Sequence, residues 1–276
     1  MDLKVFGPTG RKVSEIGAGT YYDPNWMLWA SLGWKRDSAQ RVDAIRAALA
    51  GGINLIDTAE VYNSEGLVAE AIRDYKREDL FIATKVTPTH LGYRPLIKAL
   101  ERSLRRLRTP YVDLYQIHFP RPMMPMADTM RAMEELYDQG KIRGIGVSNF
   151  SLERMKEANA ALKKARLTST QMEYSLLHRD IERDILGYCR QENIAVLAYR
   201  PLGHGALASG QDRLRKLCEK YSKTPAQIAL KWLSSQPGVF PIPRASNPVH
   251  VKEDVAASGW QMDDGDLREL SELFPA

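Results

Sequence analysis

Gly52-Ile53-Asn54-Leu55-Ile56-Asp57-Thr58-Ala59-Glu60-Val61-Tyr62 is the stretch on which the reading of this chain turns. Ile53 to Ile56 reads as a short buried strand. It follows the Gly51-Gly52 pair, a helix stop, and ends in a carboxylate with a phenol five residues further on. In α/β folds, the C-terminal ends of parallel strands are where ligands bind and catalytic side chains converge. Asp57 alone also fits a turn-capping acid beside a surface tyrosine. Partners at equivalent places elsewhere in the chain separate the two readings.

Outward from this strand, the pattern alternates between strand and helix. Upstream, Asp37 and Gln40 have capping-box spacing, and Val42, Ile45 and Leu49 share one helical face. Residues 21–34 read as a loop rich in aromatics (Tyr21, Tyr22, Trp26, Trp29, Trp34), residues 14–19 as a first strand, and residues 3–6 with 11–14 as a hairpin about Gly7-Pro8-Thr9-Gly10. Downstream, a helix near 65–75 precedes a strand over 80–84 that ends at Lys85. A helix carrying Leu96, Leu100, Leu104 and Leu107 on one stripe precedes a strand over 112–117 that ends at His118. Helices near 127–139, 152–163 and 181–191 separate strands over 142–147, 167–172 and 194–198, which run into Ser148-Asn149, Gln171 and Tyr199. Thr224, Pro225 and Gln227 supply an N-cap, an N1 proline and a capping-box partner; a strand over 239–242 follows, and Asn247-Pro248 opens the next helix. Eight strands, each followed by a helix, spell an α/β protein of the (β/α)8 TIM-barrel type, with an N-terminal hairpin and an added C-terminal helix over 263–273.

Composition agrees with a barrel. A chain of 276 residues with 44% hydrophobic content can bury one sizeable core, and no linker divides it, so residues 1–276 are expected to form one domain. The net charge is only +5, and Arg102, Arg105, Arg106 and Arg108 read as a solvated helix face rather than a nucleic-acid footprint. The start, Met1-Asp2-Leu3-Lys4, lacks a basic region followed by an apolar core, and no apolar run approaches the ~18 residues of a membrane span. A soluble, cytoplasmic protein is expected. Cys189 and Cys218 have neither metal-ligand nor CxxC spacing and are expected to be free thiols, with no metal bound.

In a barrel, the strand ends meet around one mouth. Asp57, Lys85 and His118 then sit at the ends of adjacent strands, with Tyr62 on the loop after the first of them. A tyrosine titrates near 10 in water, and a neighbouring ammonium favours the phenolate, so Lys85 is expected to lower Tyr62 into a useful range. Asp57 is expected to hold Lys85, and His118 to hydrogen-bond a carbonyl oxygen and orient it toward the phenol. The group has no electron source of its own, so carbonyl reduction requires a bound hydride donor.

The motifs Gly52–Tyr62, Ile82-Ala83-Thr84-Lys85, Val112–His118, Gly140–Phe150, Tyr199–Gly205 and Pro241–Pro248 together resemble the aldo-keto reductases, in order and over nearly the whole chain. The resemblance implies that Asp57, Tyr62, Lys85 and His118 are a catalytic tetrad with Tyr62 as general acid, and that a nicotinamide cofactor gives the hydride. It implies that Ser148, Asn149 and Gln171 hold the nicotinamide carboxamide, that Tyr199 stacks on its ring, and that Leu202, Gly203 and Gly205 admit the pyrophosphate. Arg244, Ser246 and Asn247 would take a 2′-phosphate, hence NADPH, with NADH possible. Glu253 and Asp254 would meet adenine. Thr20, Tyr21, Arg200, Pro201, Ile242, Pro243 and Ala245 complete the implied cofactor set. The sequence departs from the family at His250, where a second arginine is usual, and at Asp254, where asparagine is common. Tyr21, Tyr22, Tyr62, His118 and Phe119 are expected to line the substrate site, with Met123 nearby. A short loop at Asn63-Ser64-Glu65 and a chain end at Phe274-Pro275-Ala276 make that site open, suited to aldehydes and activated ketones of modest size. An NADPH-dependent carbonyl reductase, monomeric as is common in the family, is the expectation. An NAD-linked alcohol or sugar dehydrogenase, or a non-catalytic redox sensor like the potassium-channel β subunits of the same fold, are the alternatives.

Overall fold

A computed structural model describes residues 1–34, 36–209 and 212–275. Ala276, the last residue of the expected short tail, lies outside them. In chain order the elements are β1 (Leu3–Val5), β2 (Lys12–Ser14), β3 (Ala18–Gly19), α1 (Pro24–Ser31), α2 (Ser38–Ala50), β4 (Leu55–Asp57), α3 (Glu65–Ala71), β5 (Phe81–Val86), α4 (Tyr93–Leu107), β6 (Leu114–Ile117) and α5 (Met126–Asp138). There follow β7 (Ile145–Ser148), α6 (Leu152–Ala161), β8 (Leu167–Glu173), α7 (Ile185–Gln191), β9 (Ala195–Tyr199), α8 (Arg215–Tyr221), α9 (Pro225–Ser235), β10 (Val239–Pro241), α10 (Pro248–Val255) and α11 (Asp264–Leu273).

Strands β3 to β10 pair in sequence order, all parallel. The sheet closes where Gly17 and Gly19 donate to the Pro241 and Pro243 carbonyls at 2.9 and 2.8 Å, and Ala245 donates back to Gly19 O at 2.9 Å. This is a (β/α)8 barrel. Because side chains alternate along a strand, every second residue points inward. At the lower end, Leu55, Phe81, Leu114, Ala195 and Phe240 fill the interior, and Phe6 of the β1–β2 hairpin plugs it, 4.5 Å from the Phe81 ring and 4.9 Å from Phe240. Two or four residues further along β4, β5, β6 and β9, the inward positions become Asp57, Lys85, Gln116 and Tyr199, and Ser148 of β7 and Gln171 of β8 join them. Apolar bottom and polar top therefore come from a single period. Gly146 is required inside: a Cβ there would stand 2.5 Å from Ser169 Oγ and 2.8 Å from Gln116 Cγ. A second, larger apolar layer lies between strands and helices, and includes Leu96, Leu100 and Leu107 of α4.

Several elements differ from the sequence reading. The first barrel strand is only Ala18–Gly19, since Lys12–Ser14 is used by the hairpin with β1. The aromatic stretch is not all loop. Asp23 accepts from Trp26 N at 2.8 Å and Pro24 takes the first helical position, a start signal within the sequence that builds α1. Asp37 does not cap α2 with its side chain; it sits at φ 57°, left-handed. Lys85 lies inside β5 rather than after it. The helix expected over 181–191 is split into a 3-10 turn and α7. The Thr224–Gln227 capping box of α9 forms as read. Among the described residues no helix is long and apolar enough to cross a membrane, and both cysteines are free thiols.

Candidate active site

Four of the inward and loop positions meet at the barrel mouth. Lys85 Nζ, fully buried, donates to Asp57 Oδ2 at 2.7 Å and to the Thr58 carbonyl at 2.9 Å. It also lies 3.4 Å from Tyr62 Oη, which in turn is 3.2 Å from His118 Nε2. A continuous chain Asp57–Lys85–Tyr62–His118 thus spans β4, β5, the loop after β4 and the end of β6. Tyr62 is carried by a 3-10 turn, Glu60–Tyr62, terminated by Asn63 in a left-handed conformation. Asn63 Nδ2 donates to Met27 O of α1, tying that helix to the turn at 3.2 Å.

The electrostatics reverse one expectation. Tyr62 is raised well above an ordinary tyrosine, first by burial, then by the charge of Asp57 and by Tyr21, against a smaller lowering effect of Arg200. Lys85 does not pull it down, because its charge is half of a close pair with Asp57, whose field opposes it. In the free protein Tyr62 is a neutral phenol that keeps its proton. His118 is pushed down to about 3 by burial and, second, by the Lys85 charge, so its imidazole is neutral at physiological pH. Burial pushes Lys85 itself down, with Asp57 working the other way.

The surrounding residues divide into three groups. Gln171 Nε2 donates to Asp57 Oδ1 at 2.8 Å, so it braces the carboxylate that holds Lys85, a contact between β8 and β4 that no local pattern announces. Tyr199 Oη donates to Asn149 Oδ1 at 2.9 Å, and Asn149 Nδ2 donates to Ser148 Oγ at 3.0 Å and to His118 O at 3.2 Å. Asn149, in the left-handed region at φ 60°, thereby ties the fifth and seventh barrel strands to the end of the fourth. Tyr21 stands edge-on to Tyr62 at 5.2 Å and Phe119 stacks on His118 at 4.7 Å; both rings are partly exposed and wall the mouth.

Two residues expected to face ligand do not. Tyr22 is 2% exposed and turned inward against Trp26 and Arg41, because the helical start at Asp23 swings its ring under α2. Thr20 is fully buried, its hydroxyl donating to Asp57 O at 3.0 Å and bonded to Ser64 Oγ at 2.9 Å, which fixes the tyrosine loop. Met123 is fully exposed on the loop after β6. The arginine face of α4 is also not simply solvated. Arg102 donates to Glu60 at 3.1 Å and Arg106 to Glu65 at 2.6 Å; Glu65 is buried and Glu60 only partly exposed, so both carboxylates need partners. Glu65 further accepts from Thr84, the neighbour of Lys85, at 2.7 Å.

Beyond β10, Ile242, Pro243 and Ala245 are buried in the barrel closure, while Arg244, Ser246, Asn247 and His250 stay at least partly exposed at the start of α10. Arg200 is exposed, at φ 50°, and donates to Glu173 at 3.0 Å. Pro201 and Gly203 are buried, and Leu202 and Gly205 reach the surface around a 3-10 turn. The Glu253 carboxylate accepts from Thr224 at 2.6 Å, on the side facing α9. Asp254 is 7% exposed and pushed up to about 8 by burial and then by Glu253. At neutral pH it is therefore a carboxylic acid, offering one donor and one acceptor as an asparagine amide would. Its folded value lies above the unfolded ~3.9, so the folded state loses stability as pH rises from about 4 through 8. Asp254→Asn is expected to raise the melting temperature by roughly 5 °C at pH 9 and to change nothing at pH 4. An equal shift at both pH values would contradict this assignment.

The chain has counterparts among known proteins. A family model described as "Aldo/keto reductase family" matches residues 16–274. The chain is 35% identical to the methylglyoxal reductase YeaE of Escherichia coli (strain K12), over 95% of this chain and 91% of that protein. Among solved structures it is similar to a thermostable aldo-keto reductase, Tm1743, in complex with the inhibitor epalrestat (TM-score 0.89, 35% identity, 99% of this chain and 100% of that one). It is also similar to an aldo/keto reductase from Klebsiella pneumoniae in complex with NADP and acetate (TM-score 0.87, 34% identity, 100% and 96%). With the barrel, the buried Lys85–Asp57 pair and these matches, the chain belongs to the aldo/keto reductase family.

Proposed function

We propose that this protein reduces small aldehydes and activated ketones to alcohols using NADPH, with Tyr62 as general acid. The observation that carries the reading is the phenol of Tyr62 held at the mouth between Lys85 Nζ (3.4 Å) and His118 Nε2 (3.2 Å). A carbonyl oxygen entering there meets a neutral hydroxyl and a neutral imidazole, two donors aimed at the atom on which negative charge develops. Tyr62 Oη passes its proton to that oxygen. Lys85, anchored by Asp57, faces the phenolate left behind and stabilises it, and Gln171 keeps Asp57 in register. His118 orients the carbonyl rather than donating its charge, since it carries none.

The residues present suit a nicotinamide dinucleotide. Gln171 retains its Oε1 and a second N–H beyond the bond to Asp57, Ser148 and Asn149 lie next to it on the mouth, and Tyr199 offers a half-buried ring. An amide ligand needs paired donors and acceptors, and a flat heterocycle an aromatic face. Bound there, the cofactor supplies the hydride. Arg244, Ser246 and Asn247 at the start of α10 favour a phosphate, since an anion is stabilised by free amides and the helix dipole.

The open mouth walled by Tyr21 and Phe119, and the likeness to a methylglyoxal reductase, support 1,2-dicarbonyls and aromatic aldehydes as substrates. The expected result is multiple turnover of NADPH oxidation with methylglyoxal or a nitrobenzaldehyde, with NADH bound at least about tenfold more weakly, the equivalent of one charge-assisted contact. Tight cofactor binding without turnover across such carbonyls would instead support the redox-sensor alternative, and equal affinity for NADH would support the NAD-linked one.

A further inference from the structure

A phosphate dianion held by Arg244 with only a histidine, His250, as second basic side chain is poorly matched, because an imidazole lacks the bidentate donor fork of a guanidinium. The structure supplies another cation from a different part of the chain. The Arg41 guanidinium, on α2, sits 4.1 Å over the Tyr22 ring and 3.8 Å over the Trp26 ring. Those rings meet at 88° and form a corner that fixes it. Arg244 Nη1 donates to the backbone carbonyl of the same Tyr22 at 2.8 Å. One buried tyrosine therefore carries a guanidinium on its ring and a second on its carbonyl.

Neither cation is neutralised by an ion pair among the described residues. Asp43, the acid nearest in sequence to Arg41, pairs with Arg46, and Asp37 pairs with Arg36. Arg41 Nη1 is shut off from solvent and donates to none of the described residues. Burial pushes Arg41 down, Tyr22, Asp23 and Asp37 hold it up, and Arg244 pushes it down again, so the two arginines feel each other. Two like charges with spare donors, held around one residue beside the start of α10, form an arrangement that an anion relieves.

We propose that Arg41 is a cofactor-specificity residue, joining Arg244 to bind the 2′-phosphate of a phosphorylated adenosine. This rests on the NADPH reading and extends it to a residue on α2. The Arg41 contribution is made possible by the inward turn of Tyr22, which gives the guanidinium a ring to rest on.

Isothermal titration of the full chain with adenosine 2′,5′-bisphosphate and with 5′-AMP tests the proposal without turnover. The wild type is expected to prefer the bisphosphate. Arg41→Met, which keeps an apolar stem against Tyr22 and Trp26, is expected to lose about tenfold or more in bisphosphate affinity while changing 5′-AMP by less than about twofold. Arg41→Gln serves the same purpose if the methionine variant does not fold. An equal loss on both ligands, or no loss, would overturn the proposal and leave Arg41 a structural stacking residue. If Arg244→Met abolishes the preference and the Arg41 variants keep it, the NADPH reading stands and the Arg41 proposal falls. If the wild type shows no preference, both fall together.

Discussion

Replacing Tyr62 with phenylalanine is expected to lower the turnover of carbonyl reduction by about 100- to 10,000-fold, the range that a positioned general acid contributes. The ring remains, so Tyr21 and His118 keep their edge contacts, and only the hydroxyl between Lys85 and His118 is lost. Affinity for NADPH should change little, since the proposed reading puts the phenol on the substrate side of the mouth, and stability should fall by only about 1 kcal/mol. The loss therefore appears in kcat at unchanged cofactor Kd. The wild-type profile carries a second signature. Because burial and Asp57 hold the Tyr62 proton above the ordinary tyrosine value, reduction should persist through pH 9 without a basic limb. A Tyr62→Phe variant with wild-type kcat, or a basic limb near pH 7 that this substitution removes, would defeat the assignment of Tyr62 as acid.

Lys85→Met carries the largest expected effect on stability. It removes the cation that touches Asp57, whose side chain is 4% exposed, and leaves a buried carboxylate facing a methyl group. Breaking a buried ion pair from one side costs about 3–5 kcal/mol, which for a chain of this size lowers the melting temperature by roughly 10 °C. Adding Asp57→Asn should restore much of that loss, because an amide can still meet Gln171 and no longer needs a counter-charge. Strictly additive losses in the double variant would show that the pair is not coupled as its 2.7 Å contact implies. Turnover would stay low in both variants, so stability and catalysis separate cleanly.

Much of the site is legible in the sequence. The alternation of strand and helix, with an ionisable residue near the end of three consecutive strands, places Asp57, Lys85 and His118 on one rim, because parallel strands in a closed barrel all point the same way. The spacing from Asp57 to Tyr62 then carries the phenol over that rim. Such facts are local in the chain and survive errors of a residue or two at the boundaries, as at Lys85, which lies inside its strand rather than beyond it. The helix α1 is also locally encoded, in Asp23-Pro24, although the aromatic content of that stretch reads as loop.

What the tertiary structure alone decided concerns contacts between residues far apart in sequence, and the balance of opposed fields. Gln171 reaches Asp57 across 114 positions, Arg102 and Arg106 find Glu60 and Glu65, and Tyr22 turns inward to carry two arginines. No periodicity encodes those meetings. The protonation of Tyr62 depends on how completely it is buried and how closely Asp57 cancels Lys85, so the lowering expected from Lys85 alone turned into a rise once burial was known. The chain by itself determined the barrel, its polar rim and the chemistry available there, since these follow from period and composition. The folded molecule decided which side chains pair and which stay charged, since desolvation and pairing depend on three-dimensional distance.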